Sequence, residues 1–213
     1  MKKILLLCAA LLAVAANAQG VYKPYKEFIF EAEMNLGDSV RQLYVSMWTT
    51  YSAFWGDASQ RQLFYAYHNS YNKDSLAAAW PYTANVESTG IIENEKKVWL
   101  HPPRSGAFAM FEYFPFPEMK FPLKCDRKYR RYYIGDVDGN FKILRYKITE
   151  NCINGNVDDG VVAMGRHVGW GGEWHWQVFY DKGRGFTSIA GYLPDGRFIG
   201  LYLKDIVEHK GIE

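Results

Sequence analysis

Residues 173–205, EWHWQVFYDKGRGFTSIAGYLPDGRFIGLYLKD, decide the fold class. In the first part Trp174, Trp176, Val178 and Tyr180 alternate with Glu173, His175 and Gln177, the two-residue period of a strand with one apolar and one polar side. Asp195-Gly196 then marks a tight turn between Phe186–Leu193 and Arg197–Asp205, because Asp and Gly tolerate the left-handed backbone such turns need. On the last of these segments Ile199, Leu201 and Leu203 share a side. Upstream the same grammar continues: Asp138-Gly139 separates Tyr132–Val137 from Asn140–Thr149, and Gly169-Trp170-Gly171-Gly172 separates Gly160–Val168 from Glu173–Tyr180. Six strands joined by short turns form an antiparallel meander. One side of it is apolar and has to be covered, by curling or by the N-terminal segments.

The N-terminal half is less regular. Tyr25–Met34 alternates Phe28 and Phe30 against Ile29 and reads as a first strand. Asp38 and Ser39 then stand where helix caps would, before Val40, Leu43, Tyr44, Met47, Trp48 and Tyr51, whose spacing follows the 3.6-residue period and predicts a helix over Ser39–Tyr51. The Val, Tyr, Thr and Trp content of that run argues for strand instead. Gln60–Tyr71 repeats the Gln-Leu-aromatic step of Gln42-Leu43-Tyr44, too briefly to be a repeat. Val86–His101 reads as a hairpin turning at Asn94-Glu95-Lys96, and Pro102-Pro103 end its second strand, since proline lacks the ladder donor and restricts the residue before it. Ala107–Phe114 is a short helix or strand, followed by an extended Phe-Pro connector. The expected class is mainly β with one or two helices: a curved antiparallel sheet or half-barrel built on the C-terminal meander.

The ends and the composition bound the rest. Lys2 and Lys3, an apolar run from Ile4 to Ala16, and Ala16-Asn17-Ala18 have the three parts of a secretory signal, predicting cleavage after Ala18 and a periplasmic or secreted product. The apolar run is too short to span a bilayer, which takes roughly 20 residues. Cys8 lies inside it, so no Cys follows the cleavage site to carry a lipid anchor. Gln19–Glu213 then reads as a single β-rich domain, with no linker and no second membrane-length run. Loss of Lys2 and Lys3 takes the formal charge from +2 to zero, which removes any electrostatic reason to expect nucleic acid as a partner. Cys125 and Cys152 remain, in a compartment where disulfides persist; they either pair or stand as two buried thiols.

Aromatics make up 17% of the chain, as suits strands that cover an apolar face or line a cleft. Catalytic signals are missing. His68, His101, His167, His175 and His209 form no HxH or HExxH pattern and no His-Cys cluster, so no metal or other cofactor is expected. There is no GxSxG and no recognisable reactive-cysteine context. Asp158-Asp159 precedes a glycine as turn residues do, and Glu173 beside His175 is accounted for by a solvated strand face. The best binding candidates are His101 and Arg104, where prolines stiffen the end of a strand, with Trp99 beside them. Arg104 could hold a carboxylate or phosphate in two-pronged fashion, or fix the loop through an internal ion pair.

Trp99–Arg104 (WLHPPR), Pro115–Pro117 (PFP) with MKFP after it, Cys152, VVAMG, KGRGF and PDG together resemble an uncharacterised family of exported proteins of Gram-negative bacteria, over roughly Gly90 to Ile206. The resemblance implies C-terminal strands like the half-barrels of lipoprotein carriers, and no established activity. Two non-catalytic functions follow. One is a binding or carrier module that holds a lipid or other hydrophobic ligand, or an envelope protein's apolar segment, using Trp99, His101, Arg104, Trp174, Trp176 and Tyr180. The other is a carbohydrate- or cell-surface-binding β-sandwich with Trp170, Trp174 and Trp176 as stacking platforms. A hydrolase ranks third.

Overall fold

The computed structural model describes residues 20–35, 37, 39–103, 116–124, 128–134, 141–148, 152–153, 156–157, 160–169, 172–192 and 195–210, with the backbone alone over 128–174 and at 176. In chain order the elements are β1 (Lys26–Asn35), β2 (Val40–Phe54), β3 (Asp57–His68), α1 (Lys73–Ala79), β4 (Val86–Asn94), β5 (Lys97–Leu100), β6 (Met119–Lys120), β7 (Lys128–Ile134), β8 (Phe141–Ile148), β9 (Cys152–Ile153), β10 (Asn156–Val157), β11 (Gly160–Gly169), β12 (Gly172–Asp181), β13 (Gly185–Tyr192) and β14 (Phe198–Glu208). Twelve strands form one curled antiparallel sheet in the order β6-β5-β4-β3-β2-β1-β14-β13-β12-β11-β8-β7, and β9 and β10 pair separately. Two meanders therefore run outward from a central seam where β1 pairs with β14, Lys26 opposite Glu208 and Asn35 opposite Phe198. The described strands make one large sheet rather than the two facing sheets of a sandwich.

The C-terminal meander has the strands that the sequence predicts. Asp195 closes its turn by accepting from Arg197 N at 3.0 Å, and Gly196 takes the left-handed backbone at φ +83°. The hairpin at Val86–His101 is present as β4 and β5, with Asn94 paired to Lys97. Three predicted features, the Ala107–Phe114 element and the turns at Asp138-Gly139 and Trp170-Gly171, lie outside the described residues.

The helix predicted over Ser39–Tyr51 is corrected: this run is β2, paired with β1 on one side and β3 on the other. The cause is burial on both faces. Val45 and Met47 enter the core on one side of β2, while Ser46 and Trp48 are buried on the opposite side. With apolar residues on both faces the two-residue period disappears, and the remaining pattern imitates a helical stripe. Among the described residues the one helix is α1, which is short and carries one buried residue, Leu76; Asn72 caps it by accepting from Ser75 N. The β2–β3 turn was also missed. It uses Trp55 (φ +50°) and Gly56 (φ +76°), consecutive left-handed residues of the kind hairpin turns require, with a Trp where Asn is usual.

The core lies on the inner face of the curl. Phe28, Phe30, Ala32 and Met34 of β1 meet Val45 and Met47 of β2, Leu63 and Tyr65 of β3, Ile189 of β13 and Ile199 and Leu201 of β14. Phe116, Met119 and Leu123 close over them from the connector after β5.

Candidate functional site

On the inner face, the first described residues act as a strap. Tyr22 is fully buried among the core side chains and its ring lies 4.8 Å from that of Phe28. Its hydroxyl accepts from Phe186 N at 2.7 Å, and burial pushes its pKa well above the usual tyrosine value. Gly185 makes this contact possible: a Cβ there would lie 2.3 Å from the Tyr22 hydroxyl, and its φ is +79°. Glu93 of β4 accepts from Val21 N at 2.6 Å and from Tyr22 N at 3.2 Å. Arg61 completes the clasp, with 2.7 Å contacts to Glu93 Oε2 and to the Tyr22 carbonyl. The Glu93 carboxylate is thus held by two backbone N–H groups and the Arg61 guanidinium, the condition for burying a carboxylate without a large penalty.

The structure brings some of the predicted residues together and separates others. Trp99 and His101 are adjacent, with ring centroids 4.1 Å apart, at the end of β5 where the prolines stop the sheet. The His101 backbone is held firmly: its N–H donates to Gly90 O at 2.9 Å, and its carbonyl accepts from Tyr65 Oη and Thr89 Oγ1. Arg104 lies outside the described residues. Tyr180 is in the core, its ring 5.0 Å from that of Phe186 and 6.2 Å from that of Phe121 in the connector after β5. Trp174 and Trp176 belong to β12, where Trp174 pairs with His167, and Trp176 pairs with Gly165 on one side and Gly191 on the other. Trp174, Trp176 and Tyr180 all lie on β12, in the C-terminal half of the sheet, whereas Trp99 and His101 sit near its opposite edge. Of the proposed disulfide, Cys125 lies outside the described residues and Cys152 is placed in β9 by its backbone.

Sequence reasoning missed a polar network on the outer face. Glu27 of β1 is 1% exposed. It accepts from Tyr82 Oη at 2.7 Å and bonds His209 Nε2 at 2.7 Å through its other oxygen. The His209 ring is stacked on Trp80 at 3.9 Å. Nearby, Ser46 Oγ and His68 Nε2 are 2.9 Å apart, and the Tyr82 ring lies 4.6 Å from the His68 ring. Burial lowers the His68 pKa, against an opposing pull from Glu27. Residues 69–85 form the roof, tied down by Tyr71 Oη and Lys73 Nζ, both 2.8 Å from Asp205 Oδ2. These bonds hold Asp205 below the ordinary carboxylate value, with Lys73 as the largest cause. A Ser-His pair and a carboxylate are the parts of a hydrolytic site, but Ser46 is wholly buried, and nucleophilic catalysis requires a reachable oxygen. The network serves to satisfy the buried Glu27. Its members stand at positions 27, 46, 68, 82 and 209, so no local motif could have exposed it.

Among the described residues no group of His, Cys, Asp and Glu is arranged to hold a metal, and no helix is long and apolar enough to cross a membrane. Comparison with family models finds none that matches, and comparison with curated proteins finds none either. Among solved structures the chain is similar to a DUF1329 family protein from Desulfovibrio piger, at 12% identity over 95% of this chain and 92% of that one, with a TM-score of 0.33. A likeness of that degree carries no argument about function, and the resemblance seen in WLHPPR and PFP assigns no family by itself.

Proposed function

We propose that the protein is exported, loses its leader after Ala18, and acts as a non-catalytic binding or carrier module that holds a lipid or other hydrophobic ligand against the inner face of its sheet. The supporting observation is the continuity of that face. Apolar side chains run from Ile91 and Leu63 through β2 and β1 to Leu201, Ile189 and Val178, more apolar surface than a solvated face would carry. Tyr22 and Phe116 fill the part beside the seam, against Phe28 and Phe186. The ligand is accordingly assigned to the meander side, where Trp176 is paired across both neighbouring strands with glycine and the flanking positions contribute no bulk. Ligand sites of this kind are concave and mostly apolar with few polar groups. Export agrees with the strap: Gly20 is the second residue after the expected cut, so cleavage after Ala18 leaves the Tyr22 anchor intact.

Native mass spectrometry of protein purified from its own cell envelope tests the reading, with Trp174→Ala and Trp176→Ala tested in parallel for uptake of a fluorescent fatty acid. A co-purifying lipid, together with weakened uptake at little cost in stability, is the expected result. If both variants keep full stability and bind the probe as the parent does, the carrier reading fails. A stability loss of about 3–5 kcal/mol with no lipid bound would make these tryptophans core residues instead.

A further inference from the structure

Charge is unevenly placed on this sheet. The formal charge is +2, or zero without Lys2 and Lys3. Yet β7, β8 and β11, three neighbouring strands at one end of the sheet, carry seven Lys and Arg and no Asp or Glu. The pairing register gathers five of the seven on the face opposite Val178 and Tyr180. Arg130 pairs with Arg145, Arg145 with Arg166, and Arg166 with His175; in the next row Lys128 pairs with Lys147, and Lys147 with Met164. Directly paired residues lie on one face of a sheet. The arginine row runs on through His175 to Tyr192 and Phe198, whose rings are 4.8 Å apart. Among the described strands the nearest acid by register on this face is Glu173 of β12, opposite Val168. On β12 and β13 the face reaches water: His175 is exposed, and Tyr192 and Phe179 are 55% and 39% exposed.

Like charges directly opposite on neighbouring strands repel, so an arrangement this dense requires a reason. Charge on an edge strand blocks unwanted pairing, which accounts for Lys128 and Arg130 on β7. It does not account for Arg145 and Arg166, on the two strands inside it. We infer that the outer face of β7, β8 and β11 docks on an anionic membrane surface, where lipid phosphates supply the counter-charge. Geometry and composition select this occupant. The five register positions extend over two strand spacings and one two-residue step, roughly 10 Å by 7 Å. That is a plane array, matched to a charged surface rather than to one small anion. Beyond the arginines the same face continues with Tyr132 opposite Ile143 and Ile134 opposite Phe141. An apolar and aromatic band beside a basic one suits a bilayer interface, which takes rings at headgroup depth and phosphates beside Lys and Arg. A hydrated polyanion in solution offers nothing to the apolar rows. Finally, β7 ends the twelve-strand sheet, so a flat bilayer meets the cations at its rim, away from the roof over β1, β2 and β3. The surface lies on the opposite face from the proposed ligand and does not depend on it.

Vesicle flotation of the mature protein tests this, with phosphatidylcholine alone against an equal mixture of phosphatidylcholine and phosphatidylglycerol. The protein should float with the mixture and not with phosphatidylcholine, and should release as salt is raised, because screening shortens the reach of the charges. Arg130→Gln/Arg145→Gln/Arg166→Gln should weaken binding to the mixture about tenfold or more, each cation near such a surface contributing roughly a factor of five. Circular dichroism verifies its fold, and Arg145→Gln alone serves if the triple variant unfolds. Lys23→Gln/Lys96→Gln/Lys210→Gln, which removes the same charge at exposed positions elsewhere, should bind as the parent does. Failure to float with either vesicle overturns the inference, as does equal flotation with both or equal weakening by the two triple variants. Retention on heparin without vesicle binding would make the patch a site for a soluble polyanion and overturn it as well. None of these outcomes involves fatty-acid uptake, so the carrier reading stands or falls separately.

Discussion

The outer face of this one sheet is roofed over β1, β2 and β3, whereas on β12, β13 and β14 it exposes Phe179, Tyr192 and Tyr202. Under the roof lie Ile29, Ser46 and Trp48, all buried, together with Glu27, which has to be satisfied by Tyr82 and His209. On the exposed side the rings of Phe198 and Tyr202 cover the backbone at Gly200 themselves, and Tyr202 remains 41% exposed. The difference lies in what each region asks of its polar groups. A roof removes water and must replace every lost hydrogen bond, so its residues are interdependent. A paved surface retains water, and its residues can be changed one at a time.

The contrast predicts a graded set of effects. The largest belongs to Glu27→Ala, which strips His209 and Tyr82 of their common acceptor and should cost about 3 kcal/mol in a denaturant titration. Trp80→Ala should follow at about 2 kcal/mol, since Trp80 packs on His209 and meets Trp48 edge-on at 4.9 Å. Hydrogen exchange sharpens this case: protection should fall over residues 69–85 and hold along β1 and β14. If β1 opened together with the roof, the two would be a single cooperative unit and the contrast would collapse.

Acid should probe the roofed region next. Burial lowers the folded-state pKa of His68 beneath the ordinary 6.5, so the unfolded chain takes up its proton first. The contribution of His68 is therefore fully present above pH 6.5 and is lost as pH falls from there through the folded-state value. The slope is at most that of one proton, about 1.4 kcal/mol per pH unit. Denaturation midpoints between pH 8 and pH 5 should decline in the parent and flatten in His68→Asn; identical curves would contradict the assignment. The smallest effect is expected on the exposed side, where Tyr192→Ala and Tyr202→Ala should each alter stability by about 0.5 kcal/mol or less. A loss as large as that of Trp80→Ala would show the paved surface to be structural after all.

Local pattern determined a good part of this protein. The C-terminal strands, the Asp195-Gly196 turn, the hairpin ended by Pro102-Pro103 and the mainly β class were legible because alternation and turn chemistry are properties of neighbouring residues. The sequence also supplied Trp99 beside His101, two residues apart where β5 ends. Only the tertiary structure decided that Val40–Tyr51 is a strand, because burial of both its faces depends on the distant segment 69–85. It alone gathered Glu27, Ser46, His68, Tyr82 and His209, and placed Tyr22 under Gly185 and Glu93 beside the strap. The rings of Phe198 and Tyr202 could be named as aromatic from the sequence, but that they lie flat over Gly200, with Tyr192 and Phe179 extending the surface, follows from a strand register that pairing across the whole sheet fixes. Sites assembled from residues far apart in the chain leave no local periodicity, so the physics that creates them becomes readable only once the strands have paired into the sheet.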